Sequence, residues 1–453
     1  MRPATVLTVA LLVLPRALLA QVESQNCRFA VDSVGRTGRV METPTGTNYF
    51  AGGGVWISCL DTKVHMKSDS VASYGGSIGI VQFLGNVKYE DSTITMTATN
   101  GTYFKQGERW EARGDVVMQN LESGSTLTGP SLDYYRALPG TRDTLEMYAV
   151  GRPRINFVPQ DSTGKAEEPY VINADRVRMK GNDRMWGAGR VTIDRSDFAA
   201  TSDSMRLDTG AGSDGTLLGS PVLRGLGADS FNLRGQRIDL KLDQRKLTWL
   251  VAKGDAKAIS TDIDLVGDTI YMDVEQDKLV QTQAWGDSIR PFAHSTDYAI
   301  RADSLVFDTP GQHLKESRAF GDAWVGGTVD SSAAGEDCYR NYRVCDWLSG
   351  DTVVAQFAQQ DSAGKTRTVL HQVDAKQHAR AHYRTDNGKG AERGINYSRA
   401  EQITITMKGK DDNGVDRVQL RLHVDGVQLD PLKQPVPADS TAAPPVTPPR
   451  GSR

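Results

Sequence analysis

Apolar and polar residues alternate along most of the chain, in short runs separated by turn-forming residues. Ile238 and Leu240 form one apolar pair spaced two residues apart, and Leu305 and Phe307 form another. A period of two is that of a β-strand, whose successive side chains point to opposite faces. No capped helical pattern is found after the first 20 residues. The pattern therefore predicts an all-β protein.

The alternating runs recur with a period of about 30 residues, which is typical of a repeat architecture. Three 26-residue segments, beginning at Leu233, Leu265 and Ile300, align without gaps. Four columns are identical in all three: Leu247, Leu279 and Leu314; Ala252, Ala284 and Ala319; Gly254, Gly286 and Gly321; Asp255, Asp287 and Asp322. Weaker copies start near Asp69, Asn100, Pro130, Asp175, Asp203, Asp351 and Glu401. The sequence predicts about ten repeats, each with two or three short strands.

The aspartates that follow glycine are the first candidates for chemistry. Ile300–Val325 holds four carboxylates, a density that suggests a catalytic pair or a cation site. A reactive site needs dissimilar groups that converge, however, whereas a repeat places the same residue at every step. Asp beside Gly is typical of turns and bulges, so we interpret the column as structural. Like charges would stack about 4.8 Å apart in a parallel β-helix and about 9.6 Å apart with two antiparallel strands per repeat, which favours antiparallel pairing.

The chain has 453 residues, of which 38% are hydrophobic and 24% charged, enough for several modules. Arg2, the apolar run 4–14 and the small residues before Gln21 are typical of a secretory signal peptide. Its removal would take away Arg2 and Arg16 and change the formal charge from −3 to −5. An acidic exported chain has no electrostatic reason to bind nucleic acid.

The predicted organisation has four parts. They are the signal peptide (1–20), an N-terminal segment (21–60), a β-repeat region (61–430) that forms one continuous body or two lobes, and a Pro-rich tail (431–453). Long spacings between repeats predict inserts near 159–169, 330–348 and 384–394. The composition of the tail predicts disorder.

Four cysteines, an even number in an exported chain, predict two disulfides. Three pairings are open, and the local ones, Cys27–Cys59 and Cys338–Cys345, are favoured. The alternative is a zinc site. The gap between Cys338 and Cys345 is wide for a metal knuckle and no histidine lies nearby, so we expect no metal.

Catalytic motifs are not found. HQVDAKQHARAHYR clusters His371, His378 and His382, but an HxxxH spacing suits a metal only on a helix, and the pattern here is extended. No GxSxG elbow, P-loop or dinucleotide fingerprint occurs. We expect a protein without enzymatic activity and without a cofactor.

Two apolar columns of the repeat form the candidate ligand surface. They suit the core between two sheets, and they also suit a trough for a lipid, because Met and other aliphatic side chains adapt to acyl chains. The pattern alone favours the core, and both interpretations hold if the sandwich is open along one side. The candidate lining residues are Leu132, Val177, Met179, Met205, Leu207, Ile238, Leu240, Ile270, Met272, Leu305 and Phe307.

The segment 84–135 resembles the OstA-like family of organic-solvent-tolerance proteins, which includes LptA, LptC and the N-terminal domain of LptD. Its repeats close on Gly85-Asn86-Val87 and Gly114-Asp115-Val116, and LTGPSLDYY (127–135) is similar to the family element TGDxLxY, with Pro130 in place of the acidic residue. INYSRAEQITITM (395–407) and VDGVQLDP (424–431) resemble the closing repeat. The resemblance covers residues 50–430.

This resemblance implies an antiparallel β-jellyroll of the β-taco type, whose apolar groove holds lipopolysaccharide acyl chains while the sugars stay outside. It implies a periplasmic protein that carries lipopolysaccharide or a related glycolipid towards the outer membrane. Whether the protein also associates with the outer membrane is left open by the resemblance. The implied partners are Lpt-type inner- and outer-membrane components, with head-to-tail self-association through edge strands. Two alternatives remain: a structural or adhesive β-repeat protein without lipid ligand, and a polysaccharide-active β-helix enzyme.

Overall fold

A computed structural model describes residues 27–430 with internal gaps. The gaps are 37, 61, 76–78, 139, 161–164, 167, 197, 211–213, 227–230, 244–245, 261–262, 276–277, 296–297, 311–312, 329–344, 363–364, 386–393 and 409–414. The predicted signal peptide, the tail, Cys338 and parts of the three predicted inserts lie outside the described residues.

The chain divides into two compact units. Unit 1 comprises Met1–Arg195 and Asp203–Gly212, and unit 2 comprises Ser196–Ser202 and Ser213–Arg453. Unit 1 contains β1 (Arg28–Val34), β2 (Gly38–Thr43), β3 (Gly46–Leu60), β4 (His65–Tyr74), β5 (Ile80–Glu90), β6 (Ile94–Phe104), β7 (Arg109–Asn120), β8 (Thr126–Tyr135), β9 (Glu146–Val150), β10 (Arg154–Phe157), β11 (Tyr170–Asn173), β12 (Arg176–Lys180) and β13 (Arg184–Asp194). The division falls within β14 (Phe198–Asp208).

Unit 2 contains the remaining strands. These are β15 (Asp214–Leu218), β16 (Val222–Gly225), β17 (Phe231–Arg234), β18 (Arg237–Asp243), β19 (Lys246–Ser260), β20 (Asp264–Glu275), β21 (Lys278–Trp285), β22 (Phe292–His294), β23 (Tyr298–Arg301), β24 (Ser304–Asp308), β25 (Glu316–Thr328), β26 (Cys345–Ser362), β27 (Lys365–Thr385), β28 (Gly394–Met407), β29 (Val415–Arg421) and β30 (Asp425–Leu429).

Strands close in sequence pair with each other in both units, and the pairings are antiparallel. No α-helix is present among the described residues. Accordingly, that part of the chain has no helix long and apolar enough to cross a bilayer. The predicted all-β, repeated antiparallel fold is confirmed.

Long strands bend at a two-residue step that we call a corner, in which both residues take positive φ. Examples are Gly85–Asn86, Gly114–Asp115, Gly189–Arg190, Gly254–Asp255, Gly321–Asp322 and Gln377–His378. The pairing register shifts around such corners, as at a β-bulge. Glycine is favoured at the first position because it adopts positive φ without steric cost.

The corners explain most of the Gly-Asp column. Asp255 and Asp322 take φ values of 50° and 42°. They were expected at turns or bulges, and they lie at bulge-like bends within the long strands β19 and β25. In the remaining copy, which begins at Leu265, β21 ends just before Gly286 and Asp287.

At the corners that begin with Gly85, Gly114, Gly189, Gly254 and Gly321, the glycine packs against a polar side chain that lies in a neighbouring strand or just before it. A Cβ atom on Gly85, Gly189 or Gly321 would clash with Asp69, Asp175 or Asp303, respectively. These aspartates belong to the turn-forming positions at which the repeats start. Their recurrence in the sequence therefore has a steric cause.

The bends fold the sheet of unit 1 over itself. Tyr89 pairs with Met96, and Met96 pairs with Met118. Trp110 lies eight residues before Met118 on β7, about 26 Å away along an extended strand. The ring centroids of Tyr89 and Trp110 are nevertheless 5.1 Å apart. The strand halves on either side of the corners, which we call half-sheets, therefore face each other with the core between them.

Unit 2 is folded in the same way. Tyr298 pairs with Gly327, and Gly327 pairs with Asp346. Phe357 lies eleven residues beyond Asp346, about 36 Å along an extended strand. The rings of Tyr298 and Phe357 are 5.6 Å apart, so the free ends of the two half-sheets meet. We call this meeting line, opposite the corners, the seam of each unit.

The start of the described chain is tied to unit 1 by a disulfide. Cys27 and Cys59 are bonded, which confirms one of the two predicted pairs. Cys345 is buried at the start of β26.

Candidate functional site

The predicted lining residues of unit 2 lie in two neighbouring interior rows that run across the strands. The first row is Leu217, Ile238, Ala252, Ile270, Ala284, Leu305, Ala319, Val353, Ala375 and Ile403, in which each residue pairs with the next. From Ile238 onward, a branched aliphatic side chain alternates with alanine. The second row is Gly215, Leu240, Leu250, Met272, Thr282, Phe307, Ser317, Ala355, Val373 and Ile405.

The first row explains the identical alanine column of the repeat. Ala284 lies between Ile270 and Leu305 on the neighbouring strands, and all three side chains are buried. Alternation of large and small side chains lets the facing layer interdigitate. The apolar columns of successive repeats thus merge into a continuous hydrophobic surface.

Most of the predicted lining residues are enclosed. Leu132, Val177, Met179, Met205, Ile238, Ile270, Met272, Leu305 and Phe307 are buried, whereas Leu207 and Leu240 are half-buried. This placement fits a protein core, and it also fits a lipid-binding interior whose two half-sheets are closed on each other. Contact with lipid therefore stays a prediction.

One interior row of unit 1 changes character along its length. It runs through Val81, Tyr103, Trp110, Tyr134, Met147, Met179 and Met185. Aromatic rings fill the first part, where Trp110 contacts Tyr89 and Phe83. Three methionines fill the last part. Their flexible thioether side chains allow this end to adapt to an inserted chain more readily than the aromatic end.

A small cleft opens at the methionine end of unit 1, and we call it the methionine cleft. It is lined by Met118, Asn120, Ser123, Ser125, Thr126, Leu127, Met147, Ile155, Phe157, Met179 and Asn182. Its volume is about 20 Å³, which is room for one water molecule. Asn120 and Asn182 lie at turns on opposite sides of the seam, and the Asn120 amide donates to Asn182 Oδ1 over 3.2 Å.

Cations flank the cleft on the outer face of β12 and β13. Arg178 and Lys180 lie 3.2 and 3.8 Å from Glu146, and Arg184 lies 3.3 Å from Asp208. Along β12, these polar residues alternate with Val177 and Met179, which point inward. The same strand thus presents an apolar face to the interior and a cationic face to solvent.

A buried charged cluster closes the seam at the aromatic end of unit 1. We call Asp91, Glu108, Arg136, Tyr89, Tyr103 and Tyr134 the seam cluster. The hydroxyls of Tyr89 and Tyr134 each donate to Asp91 Oδ2 over 2.9 Å. Arg136 Nη1 lies 3.0 Å from Glu108 Oε2, and its Nε lies 3.8 Å from Asp91. Tyr103 also donates to Glu108.

Burial shifts the pKa of the three tyrosines in this cluster. It raises the pKa of Tyr89, Tyr103 and Tyr134, and the adjacent carboxylates of Asp91 and Glu108 raise it further. The phenols therefore stay protonated and serve as hydrogen-bond donors. Burial alone would lower the pKa of Arg136, but the surrounding acidic groups raise it above its ordinary value.

The sequence did not single out the seam cluster. Asp91 and Glu108 lie in different turns and Arg136 follows β8, so no spacing in the chain links them. Of the cluster residues, Tyr134 alone belongs to a motif quoted in the sequence analysis, LTGPSLDYY (127–135). Every carboxylate oxygen of the cluster has a donor, from these side chains or from the backbone of Cys27, Thr93 and Ile94, which is the arrangement of a structural network rather than of a reactive pair.

The histidines do not converge on a metal. His371, His378 and His382 lie on the strand β27. His378 bonds Asp351 at its corner, and His382 stacks on Trp347 with ring centroids 5.9 Å apart. Across the described residues, no three His, Cys, Asp or Glu side chains cluster as metal ligands.

No family model matches the chain, and no curated protein matches it. The resemblance to the OstA-like family therefore rests on the quoted sequence motifs.

Proposed function

We propose that this protein is a non-enzymatic, periplasmic carrier of lipopolysaccharide or a related glycolipid, and that it belongs with OstA-like proteins. The acyl chains of the ligand lie between the half-sheets, along the interior rows that contain Ile270 and Met272. The sugar part stays outside the seam. Lpt-type membrane components supply the lipid and receive it, and the protein itself needs no cofactor.

One observation carries this proposal. In unit 2, the first interior row forms an uninterrupted apolar surface across many strands, and unit 1 separately has an adaptable, methionine-lined cleft. Transfer of each CH₂ group from water into such an interior contributes about 0.8 kcal/mol. An acyl chain of about 12 CH₂ groups therefore contributes about 10 kcal/mol towards the cost of separating the half-sheets.

Exposed edge strands support the proposed head-to-tail association. In unit 1, Val40 of β2 is 60% exposed, and in unit 2, Val427 and Leu429 of β30 are 57% and 60% exposed. Apolar side chains on an edge strand favour pairing with another strand, whether in a second copy or in a membrane partner.

A photo-crosslinking amino acid at Met272 or Phe307 tests the carrier function in cells. We expect both positions to capture lipid. Matched controls at Tyr271 and Val306 occupy the alternate face of the same strands, where less or no capture is expected. Equal capture at interior and outer positions, or none at the interior, would contradict the placement of the acyl chains.

Native mass spectrometry of the purified protein separates the carrier from a purely structural repeat protein. Co-purified glycolipid is expected for the carrier. A protein that carries no lipid, and that fails to take up added lipopolysaccharide, would be a structural or adhesive module instead.

A further inference from the structure

The seam of unit 1 is bridged at two places by different chemistry. At the aromatic end, the bridging groups are charged and buried, and the Glu108 and Asp91 side chains are only 1% and 4% exposed. At the methionine cleft, the bridge is a neutral amide pair between Asn120 and Asn182, together with a long, exposed bond of 3.4 Å from Asn182 Nδ2 to the Glu122 carboxylate. Charge-assisted hydrogen bonds are roughly twice as strong as neutral ones, and burial removes competition from water.

The aromatic end is also anchored covalently. The backbone N–H of Cys27 donates to Glu108 Oε1 over 2.8 Å, and Cys27 is bonded to Cys59 on β3. The Phe29 ring packs against Tyr103 with centroids 5.3 Å apart. The first strand therefore holds Glu108 in place from a second direction, and nothing comparable is described at the methionine cleft among the residues of unit 1 that the structure covers.

We propose that the two half-sheets of unit 1 separate along the seam from the methionine cleft, and that the seam cluster is a latch that keeps the aromatic end closed. Tyr134 and Arg136 are the moving contacts, because they join the end of β8 to Asp91 on the other side of the seam. Opening from one end gives the interior a single lateral entrance. This conformational device is independent of which ligand, if any, the interior takes.

Spin-label distances across the seam test the latch in the full-length chain. One pair, Ser92→Cys and Gln106→Cys, uses exposed positions beside Asp91 and Glu108. A second pair, Leu121→Cys and Lys180→Cys, spans the methionine cleft. No cysteine among the described residues is free to react with the label. We expect a narrow distance distribution for the 92–106 pair and a broader one, extending to longer distances, for the 121–180 pair.

Breaking the latch should change only the first distribution. Arg136→Gln is expected to shift the 92–106 distances to larger values and to broaden them. The matched control, Arg113→Gln, removes an arginine that pairs with Asp133 and Glu111 on the outer face of β7 and β8, and should leave the distances unchanged.

A second variant keeps the test decisive if Arg136→Gln does not fold, as judged by circular dichroism. Tyr134→Phe retains the ring and removes only the hydroxyl that bonds Asp91. It should produce a smaller shift in the same direction. The proposal is overturned if folded latch variants keep the wild-type 92–106 distribution, or if the wild-type protein is broader at the aromatic end than at the methionine cleft.

Discussion

Two glycines of unit 1, Gly85 at a corner and Gly124 in the turn between β7 and β8, separate the backbone reason for glycine from the steric one. Gly85 and Gly124 both have φ of 74°. A Cβ atom at Gly124 would meet nothing within 4 Å, whereas one at Gly85 would clash with the side chain of Asp69. Replacing each with alanine therefore imposes the same backbone cost, and only Gly85→Ala adds a steric one.

The magnitudes follow from these contacts. A left-handed conformation costs a residue with a Cβ about 1–2 kcal/mol, partly offset by about 0.4–1 kcal/mol from the stiffer unfolded chain. Gly124→Ala should thus lower the free energy of unfolding by about 1 kcal/mol. In Gly85→Ala, Asp69 must also move and lose its bond from Asn86 Nδ2, 2.8 Å long, so the total should be about 2–3 kcal/mol.

Urea denaturation followed by circular dichroism measures both variants. The Asp69→Ala background provides the internal control. Removing the carboxylate should reduce the cost of Gly85→Ala towards that of Gly124→Ala, with the 3.1 Å contact to the Cβ atom at position 69 remaining. Equal costs for the two glycine variants, or an unchanged cost in the Asp69→Ala background, would refute the explanation of the corner by close packing.

Two further predictions concern the disulfide and the buried tyrosines. The double variant Cys27→Ser, Cys59→Ser should lower the free energy of unfolding by about 4 kcal/mol, because the disulfide closes a loop of 32 residues in the unfolded chain. Urea denaturation without reductant measures the loss. A loss below about 1 kcal/mol would argue against a stabilising disulfide. Because burial first, and neighbouring carboxylates second, raise the pKa of Tyr103 and Tyr134 above 10.0, their contribution to stability is complete below pH 10 and falls as the pH rises further. The tyrosinate absorbance of these buried residues should therefore appear only with the loss of circular dichroism, after that of exposed tyrosines such as Tyr49. Ionisation of all 14 tyrosines in a folded protein would contradict this.

The strands, their pairing direction and one disulfide could be predicted from the sequence, because each depends on local pattern or composition. Alternation such as that of Leu305 and Phe307 is visible within one strand. The repetition of Asp255 and Asp322 beside glycine already indicated a structural role. Even so, the sequence could not place these aspartates inside long strands, since a corner and a turn use the same residue types.

The seam cluster could not be predicted, because it depends on the fold of the sheet over itself. Asp91 and Tyr134 are 43 residues apart and would lie at opposite ends of a flat sheet. Similarly, the cross-strand row explains the invariant alanine column only when the register is known. Ala284 contacts the branched residues of its neighbours because of pairings that no single repeat contains.

The corners also constrain how insertions and deletions can change the number of repeats in such a chain. A corner that begins with glycine is packed by a residue in an adjacent strand or just before it, as Gly321 is by Asp303, so a repeat carries the contact that its neighbour requires. Repeats of this kind interact mainly with their nearest neighbours. Duplication or deletion of a whole repeat within unit 2 would therefore lengthen or shorten the interior rows by a fixed step without leaving a corner unpacked. Gain or loss of only part of a repeat would leave a corner without the residue that packs against it.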